Sequence, residues 1–357
     1  MAGFLESITG GQAASATVAA ALIAASTSAV VTLLVQLVGF GANRRLEKLK
    51  SELVEQIEST KAELSDLNAS RNARRDYEYD ARKRLYEQIE PLLFQLYEAC
   101  EQSYFRVKSL SRSQRAREVG LDKDNWLKPE GYYLFSTVYY LLIPIAIFRM
   151  IQKKMTFVDI YGDPGIALKY YLAKVYFFAL TDDFVVAGYD PVLPYEPNAE
   201  NWETLRIEKP ARFFRQAFVV GDVDAIADAM LHNEGGVLRV KTYGEFETAA
   251  AIGGEQRAVF EEALGLFQNF ESEQRPVLAR VLLVLACLSD LIISSYETDP
   301  TPQEAGRIVA EFVASDEFGK GFAWDKELTP KERDFVRDYV VTRLGWIPTG
   351  AIRGFNS

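Results

Sequence analysis

Apolar side chains recur every three or four residues along most of the chain, a spacing that predicts a mainly α-helical protein. One such stripe comprises Leu85, Ile89, Leu92, Leu96, Cys100 and Val107. This spacing places Cys100 on the apolar face, so we expect a buried core thiol rather than a nucleophile. The β-prone runs, 218–220 and 237–243, are short. We therefore expect at most a small β-ribbon within a multi-helix body.

An uncharged segment near the N-terminus predicts a single transmembrane helix over residues 16–40. As a helix, its 25 residues would extend about 37 Å, and the hydrocarbon layer of a bilayer is about 30 Å thick. Residues 1–15 would form a short extracytoplasmic N-terminus. A cleaved signal peptide is less well supported because residues 1–8 contain no Lys or Arg. A buried, alanine-rich core helix is the other alternative.

The flanking charges predict the orientation of this helix. Four basic residues follow it, whereas the preceding flank carries only Glu6. Because basic residues remain on the cytoplasmic side, we expect residues 43–357 to be cytoplasmic. Two cysteines without a disulfide pattern suit that reducing compartment.

A helical stalk is predicted over residues 43–70. Its apolar positions are spaced by three or four residues, with Thr60 among them: Leu46, Leu49, Leu53, Ile57, Thr60, Leu64 and Leu67. This seam suits a short parallel coiled coil, although a lone helix lying along the body fits equally well. The basic stretch 71–84 could bind anionic lipid or nucleic acid, but its interleaved acidic residues favour a solvated, self-paired face.

The body is predicted as two helical parts, 71–187 and 205–357, joined by the proline-rich surface loop 188–204. Residues 109–128 lose the apolar period, which predicts a polar excursion or a loop. The uncharged run 131–148 contains a proline and four tyrosines, and basic residues flank both ends, so we interpret it as a buried core helix. A membrane-associated segment is the alternative. Residues 277–293 are also predicted to form a core helix.

Two capping boxes and a terminal glycine define helices near the C-terminus. Thr301 and Thr329 each precede a proline and lie three residues before a glutamate. Gly345 is expected to end the second of these helices.

The sequence provides no basis for assigning catalytic, cofactor-binding or metal-ligating residues, or any cofactor. Asp182 and Asp183 are adjacent, and on a helix they would diverge by about 100°. They are therefore interpreted as helix-end polar residues. His232, the single histidine, is expected in a loop rather than as a catalytic base. The motifs GxxxxGK[ST], GxGxxG, CxxC and HExxH are absent from the sequence.

Three stretches carry a resemblance to known sequences: DYEYDARKRLYEQIEPLLFQLYEA, YYLLIPIAIFRMIQKKMTFVDI and LAKVYFFALTDDF. They resemble uncharacterised bacterial proteins that have an N-terminal transmembrane helix and a short coiled coil. The resemblance spans much of residues 70–250. It implies a single-pass protein of the bacterial inner membrane, and it implies no activity or residue role.

Charge is segregated along the cytoplasmic part. Residues 43–128 contain 18 basic and 16 acidic side chains, and residues 129–357 contain 22 and 33. The overall charge of −10 argues against a nucleic-acid partner. We expect an interaction or scaffold protein that binds a protein partner or itself, with any small-molecule ligand unknown. The alternatives are an enzyme without a recognisable signature and a membrane-perturbing stress or defence effector acting through residues 131–148.

Overall fold

The protein is mainly α-helical with one two-stranded sheet, as predicted. The structure, a computed structural model, describes residues 43–118, 127–156 and 159–347. The predicted N-terminal segment 1–15 and transmembrane helix 16–40 lie outside the described residues. The chain forms two compact units, Met1–Tyr77 and Glu78–Ser357.

The first helix, α1, runs from Asn43 to Glu118. In the first unit, its side chains from residue 50 onward are exposed. In the second unit, residues 78–84 are exposed and the stripe that begins at Leu85 is buried. The basic stretch 71–84 is thus solvated, as predicted.

The loop reading of residues 109–128 is wrong for residues 109–118, because α1 continues to Glu118, and residues 119–126 lie outside the described part of the chain. Polar side chains of the helical part are buried and find partners elsewhere in the body. The Ser111 hydroxyl donates to the carbonyl of Gly321 at 2.9 Å, and the Gln114 amide nitrogen donates to the Ser272 hydroxyl at 2.7 Å. Hydrogen bonds between buried polar groups hold this part of α1 against the body. The sequence therefore shows no apolar period here.

Twelve further helices and two strands follow within the described residues. The first is α2, Tyr132–Met155, and a short 3₁₀ turn, Ile160–Gly162, precedes α3. The remaining elements are α3 (Pro164–Ala179), α4 (Asp183–Gly188), α5 (Trp202–Glu208), α6 (Pro210–Phe213), α7 (Val220–Ala229), β1 (Leu231–Glu234), β2 (Val237–Val240), α8 (Tyr243–Ala250), α9 (Arg257–Phe267), α10 (Pro276–Thr298), α11 (Pro302–Ala314), α12 (Asp316–Gly321) and α13 (Pro330–Leu344).

The core of the body is built on α2 and α10, with α3 packed against both. Within the described residues, these two helices are long and apolar enough to cross a membrane. Yet 89% of the most apolar window of α2 and 83% of that of α10 is buried inside the protein. The predictions of core helices over residues 131–148 and 277–293 are therefore confirmed.

The β-ribbon differs in detail from its prediction. Its strands β1 and β2 pair antiparallel, with His232 opposite Arg239, whereas residues 218–220 form no strand. Gly235 and Gly236 both have positive φ, at 58° and 88°, which matches the backbone twist of a two-residue hairpin turn. The turn thus places residues 231–234, three of which are polar, in the first strand, and His232 lies in that strand instead of the expected loop.

Both predicted capping boxes are present. The Thr301 and Thr329 hydroxyls accept from the backbone nitrogens of Glu304 and Glu332. Gly345 is the C-cap of α13, as predicted, although with right-handed backbone geometry. A third capping box, at Thr242 before α8, was not predicted.

Both cysteines are buried in the body. The Cys100 side chain is fully buried, and burial raises the pKa of its thiol. Cys287 on α10 is 1% exposed, and burial also raises its thiol pKa. Because only the thiolate is a good nucleophile, Cys100 fits the predicted role of a core thiol.

A buried arginine on α10 holds the beginning of the proline-rich loop. The Arg280 guanidinium donates to the carbonyls of Val186 and Tyr189 at 3.1 and 3.2 Å, and also to that of Pro191. Its charge lies 5.0 Å from the centre of the Phe335 ring. The loop is thereby attached to the core helix.

Replacing Arg280 with methionine should destabilise the protein by about 2–4 kcal/mol, because three carbonyls near the core would lose a charged donor. Thermal or urea unfolding of the full chain would measure this loss. The control is Arg307→Met on α11, since the side chain of Arg307 is 72% exposed. Equal stability of the two variants would contradict this role for Arg280.

Candidate functional site

A cavity of about 630 Å³ lies in the body beside the N-terminal end of α10. Its charged lining consists of Arg206, Arg215, Arg275 and a single carboxylate, Glu262. The uncharged lining residues are Pro197, Asn198, Phe214, Ala217, Gly265, Leu266, Gln268, Asn269 and Gln274. We call this cavity the arginine pocket.

Gln216 joins the two segments that carry Arg215 and Arg275. This buried side chain accepts from the backbone nitrogens of Val277 and Leu278, at 2.8 and 3.2 Å. These nitrogens belong to the first turn of α10, where no earlier carbonyl of the helix can reach them. Because Arg215 precedes Gln216 and Arg275 precedes α10, one capping interaction positions both arginines.

Arg275 lines the pocket without an ion-pair partner among the described residues. Its guanidinium lies 4.6 Å from the centre of the Phe214 ring and donates to the carbonyl of Leu266. Burial lowers the pKa of Arg275 to about 10. The charge is therefore held in place by an aromatic face and a backbone carbonyl, without a neutralising carboxylate.

Arg215 is held more loosely by a buried carboxylate. Its Nε lies 3.8 Å from Oδ2 of Asp183, which is beyond hydrogen-bonding distance. This Nε is buried and makes no hydrogen bond within the described part of the chain. Asp183 instead accepts from the Tyr195 hydroxyl at 2.6 Å. The guanidinium of Arg215 thus retains capacity to donate to a further acceptor.

Glu262 is the lining residue whose protonation changes most readily. Desolvation and a hydrogen bond with Asp222 raise its pKa to about 7, and the nearby charge of Arg215 opposes this rise. Near neutral pH the carboxyl group of Glu262 is therefore only partly ionised, and Arg215 remains within ion-pairing distance of Asp183.

Such an arrangement can bind an anion. Guanidinium groups donate paired hydrogen bonds to phosphate or carboxylate oxygens, and the amides of Asn198, Gln268, Asn269 and Gln274 can bond to polar groups of the same ligand. The volume falls within the range of small-molecule sites. The enzyme alternative called for several converging carboxylates, and Glu262 is the only one that lines this pocket.

Asp182 and Asp183 diverge, as the sequence suggested. Asp182 accepts from the Tyr339 hydroxyl at 2.7 Å and forms an ion pair with Arg343, both on α13. Asp183 faces Tyr195 and Arg215. The two carboxylates bind different parts of the body. Within the described ranges, no three His, Cys, Asp or Glu side chains are grouped as metal ligands.

His232 lines a second cavity, of about 940 Å³, together with Lys241 and Glu245. The ammonium group of Lys241 donates to the carbonyls of Ala229 and Leu231, at 2.6 and 2.9 Å. Glu245 pairs with Arg239 and completes the Thr242 capping box. Lys241 and Glu245 thus stabilise the hairpin and the start of α8.

The arginine pocket was not predicted from the sequence. Arg206, Arg215 and Arg275 are distributed over about 70 residues and belong to no local motif. No family model, curated protein or solved structure matches the chain. The assignment therefore rests on the chemistry of the lining residues.

Glu262→Gln should change the pH dependence of stability. The raised pKa means that the folded protein retains a proton that the unfolded chain releases above its ordinary pKa of 4.5. Stability conferred by this proton declines as the pH rises from about 4.5 to about 7. Relative to the wild type, Glu262→Gln should gain stability across that interval and remain constant above it.

Unfolding temperatures measured between pH 4 and pH 8 would test this expectation. The control is Glu261→Gln, at an exposed neighbouring position outside the pocket lining. A pH-independent difference between Glu262→Gln and the wild type would show that the raised pKa is wrong.

Proposed function

We propose that the chain is a membrane-anchored interaction protein of bacteria, held by a transmembrane helix over residues 16–40 with its body in the cytoplasm. It associates with a second copy through the stalk, residues 43–70. The observation that carries this proposal is an apolar seam on α1 that nothing in the described part of the chain covers.

The seam consists of large apolar side chains that remain exposed to solvent. Leu53, Ile57, Leu64 and Leu67 are 46–55% exposed, and all side chains from residue 50 to residue 77 are exposed. The spacing of Ile57, Thr60, Leu64 and Leu67 is that of alternating a and d positions in a coiled coil. A stripe of this kind is stabilised when a partner helix removes it from water.

A second copy of the chain suits this seam. Two copies anchored in one membrane would present their stalks in parallel, and anchoring raises their effective concentration. In a parallel pair, Gln56 would face Lys61 of the other copy, and Glu63 would face Asn68. No like charges therefore oppose each other at these flanking positions.

The membrane-perturbing alternative is not favoured by the position of α2. Sixteen of its residues are buried in the core of the body. Inserting residues 131–148 into a bilayer would first require the core to come apart. The acidic body, with a charge of −11 over residues 129–357, also offers little attraction for anionic lipid.

The anchoring proposal predicts that the full chain, expressed in a bacterial host, remains in the membrane pellet after extraction with alkaline carbonate. A chain lacking residues 1–42 should be recovered in the soluble fraction. Recovery of the full chain in the supernatant without detergent would contradict the anchor.

The self-association proposal predicts that the double variant Ile57→Lys, Leu64→Lys abolishes dimer cross-linking of the full chain in membranes, because two charges per helix would enter the seam. The matched control is Ala62→Lys, Ala69→Lys, which adds the same charges with the same spacing on the opposite, exposed face. Equal cross-linking of both variants, or a monomeric wild type, would contradict association through this seam.

A further inference from the structure

Three aromatic rings meet on the surface of the body, where α1 passes the last turn of α10. The ring centres of Phe94 and Tyr97 lie 6.3 Å apart, and the centre of the Tyr296 ring lies 6.1 Å from the first and 5.2 Å from the second. Phe94 is nevertheless 50% exposed and Tyr296 is 39% exposed. Aromatic rings that pack together and still face water are typical of surfaces that contact another protein.

This cluster belongs to a longer solvent-facing stripe of α1. Phe94, Glu98, Glu101 and Phe105 are separated by four, three and four residues, so they lie on one face of the helix. Phe105 is 56% exposed, and Glu98 is exposed as well. The stripe is about 16 Å long, because a helix rises ~1.5 Å per residue. We call it, together with Tyr97, Tyr296 and Glu297, the aromatic–acidic face.

The carboxylates of the aromatic–acidic face are solvated and have no basic partner. Glu98, Glu101 and Glu297 form no ion pair with any described residue. All three act on one phenol, since desolvation raises the pKa of Tyr97 and their negative charges raise it further. Residues 85–105 of α1 contain four acidic side chains and no basic one. The negative charge between the two phenylalanines is therefore open to a basic partner.

Two basic side chains near this face are occupied by other groups. The ammonium group of Lys169 lies 5.8 Å from the centre of the Tyr296 ring and forms an ion pair with Asp299. The guanidinium group of Arg106, the next basic residue of α1, lies over two tyrosine rings of α2. Neither side chain pairs with the three carboxylates. Lys169 also shows that a ring of the cluster can hold a cation.

We propose that the aromatic–acidic face binds an amphipathic helix of a partner protein, which presents two arginines between two apolar side chains with spacings of four, three and four residues. The apolar side chains would cover Phe94 and Phe105, and the arginines would pair with Glu98 and Glu101. This interaction goes beyond self-association through the stalk, because the face belongs to the body.

Charge complementarity selects this kind of partner. Carboxylates placed between two aromatic residues repel an acidic segment, an anionic lipid or a nucleic acid, and they attract a basic helix. Arginine fits better than lysine, because its planar guanidinium group can bond both oxygens of a carboxylate and stack on an aromatic ring. The spacings read the same in both directions, so a partner helix can match them in either orientation.

The test is fluorescence anisotropy of a labelled peptide titrated with the full chain in detergent. The probe is an alanine- and glutamine-based helical peptide of about 20 residues, with leucine, arginine, arginine and leucine at the stated spacings. The control peptide has the same composition, with both arginines on the opposite face. We expect the probe to bind at least tenfold more tightly than the control peptide. Equal affinity of the two peptides, or no binding of the probe at about 100 μM, would overturn the proposal.

Two variants connect binding to this face. Phe94→Gln should weaken binding of the probe at least fivefold, whereas Phe184→Gln, at an equally exposed phenylalanine of α4, should leave it unchanged. The double variant Glu98→Arg, Glu101→Arg should bind a peptide with glutamates in place of the arginines at least tenfold more tightly than the wild type does, a gain that misfolding cannot produce. Unchanged probe affinity in Phe94→Gln, or no such gain in the double variant, would place the peptide elsewhere and overturn the proposal.

Discussion

Burial of two strongly apolar helices is the constraint on which the body depends. α2 and α10 have the length and composition of membrane spans, yet most residues in their most apolar windows are buried inside the protein. Because apolar area removed from water contributes roughly 25 cal/mol per Å², covering helices of this kind provides the dominant stabilising term for a domain. The amphipathic helices around them, such as α9 and α11, supply one apolar face each.

Two buried polar side chains, Arg280 and Gln216, connect this core to the segments around it. Arg280 on α10 donates hydrogen bonds to carbonyls of α4 and of the proline-rich loop. The Gln216 side chain caps the first turn of α10, about one turn before Arg280. This interaction brings the segments of Arg215 and Arg275 to one cavity. The arginine pocket thus forms where a core helix begins.

Sequence reasoning was most successful where a local physical rule decides the structure. The stripe from Leu85 to Val107 was predicted by its spacing, and the helix starts at Thr301 and Thr329 by their capping boxes. The polar end of α1 was missed because Ser111 and Gln114 are satisfied by residues about 160–210 positions away in the chain. The first β-strand was missed because a glycine turn, rather than β-prone side chains, determines it.

The arginine pocket was missed for a related reason. Its charged residues come from four separate segments, and each segment alone resembles an ordinary solvated surface. Only the folded structure shows that these four segments meet at one cavity. The residues come together through tertiary packing, which no local period or motif in the sequence shows.

The burial of both native thiols has a practical consequence for spectroscopy. Cys100 and Cys287 are the only cysteines of the chain, and both are nearly inaccessible with strongly raised pKa values. Maleimide reagents require an accessible thiolate. A cysteine introduced on the protein surface would therefore react selectively, so spin labels or fluorophores could be attached to the otherwise native sequence.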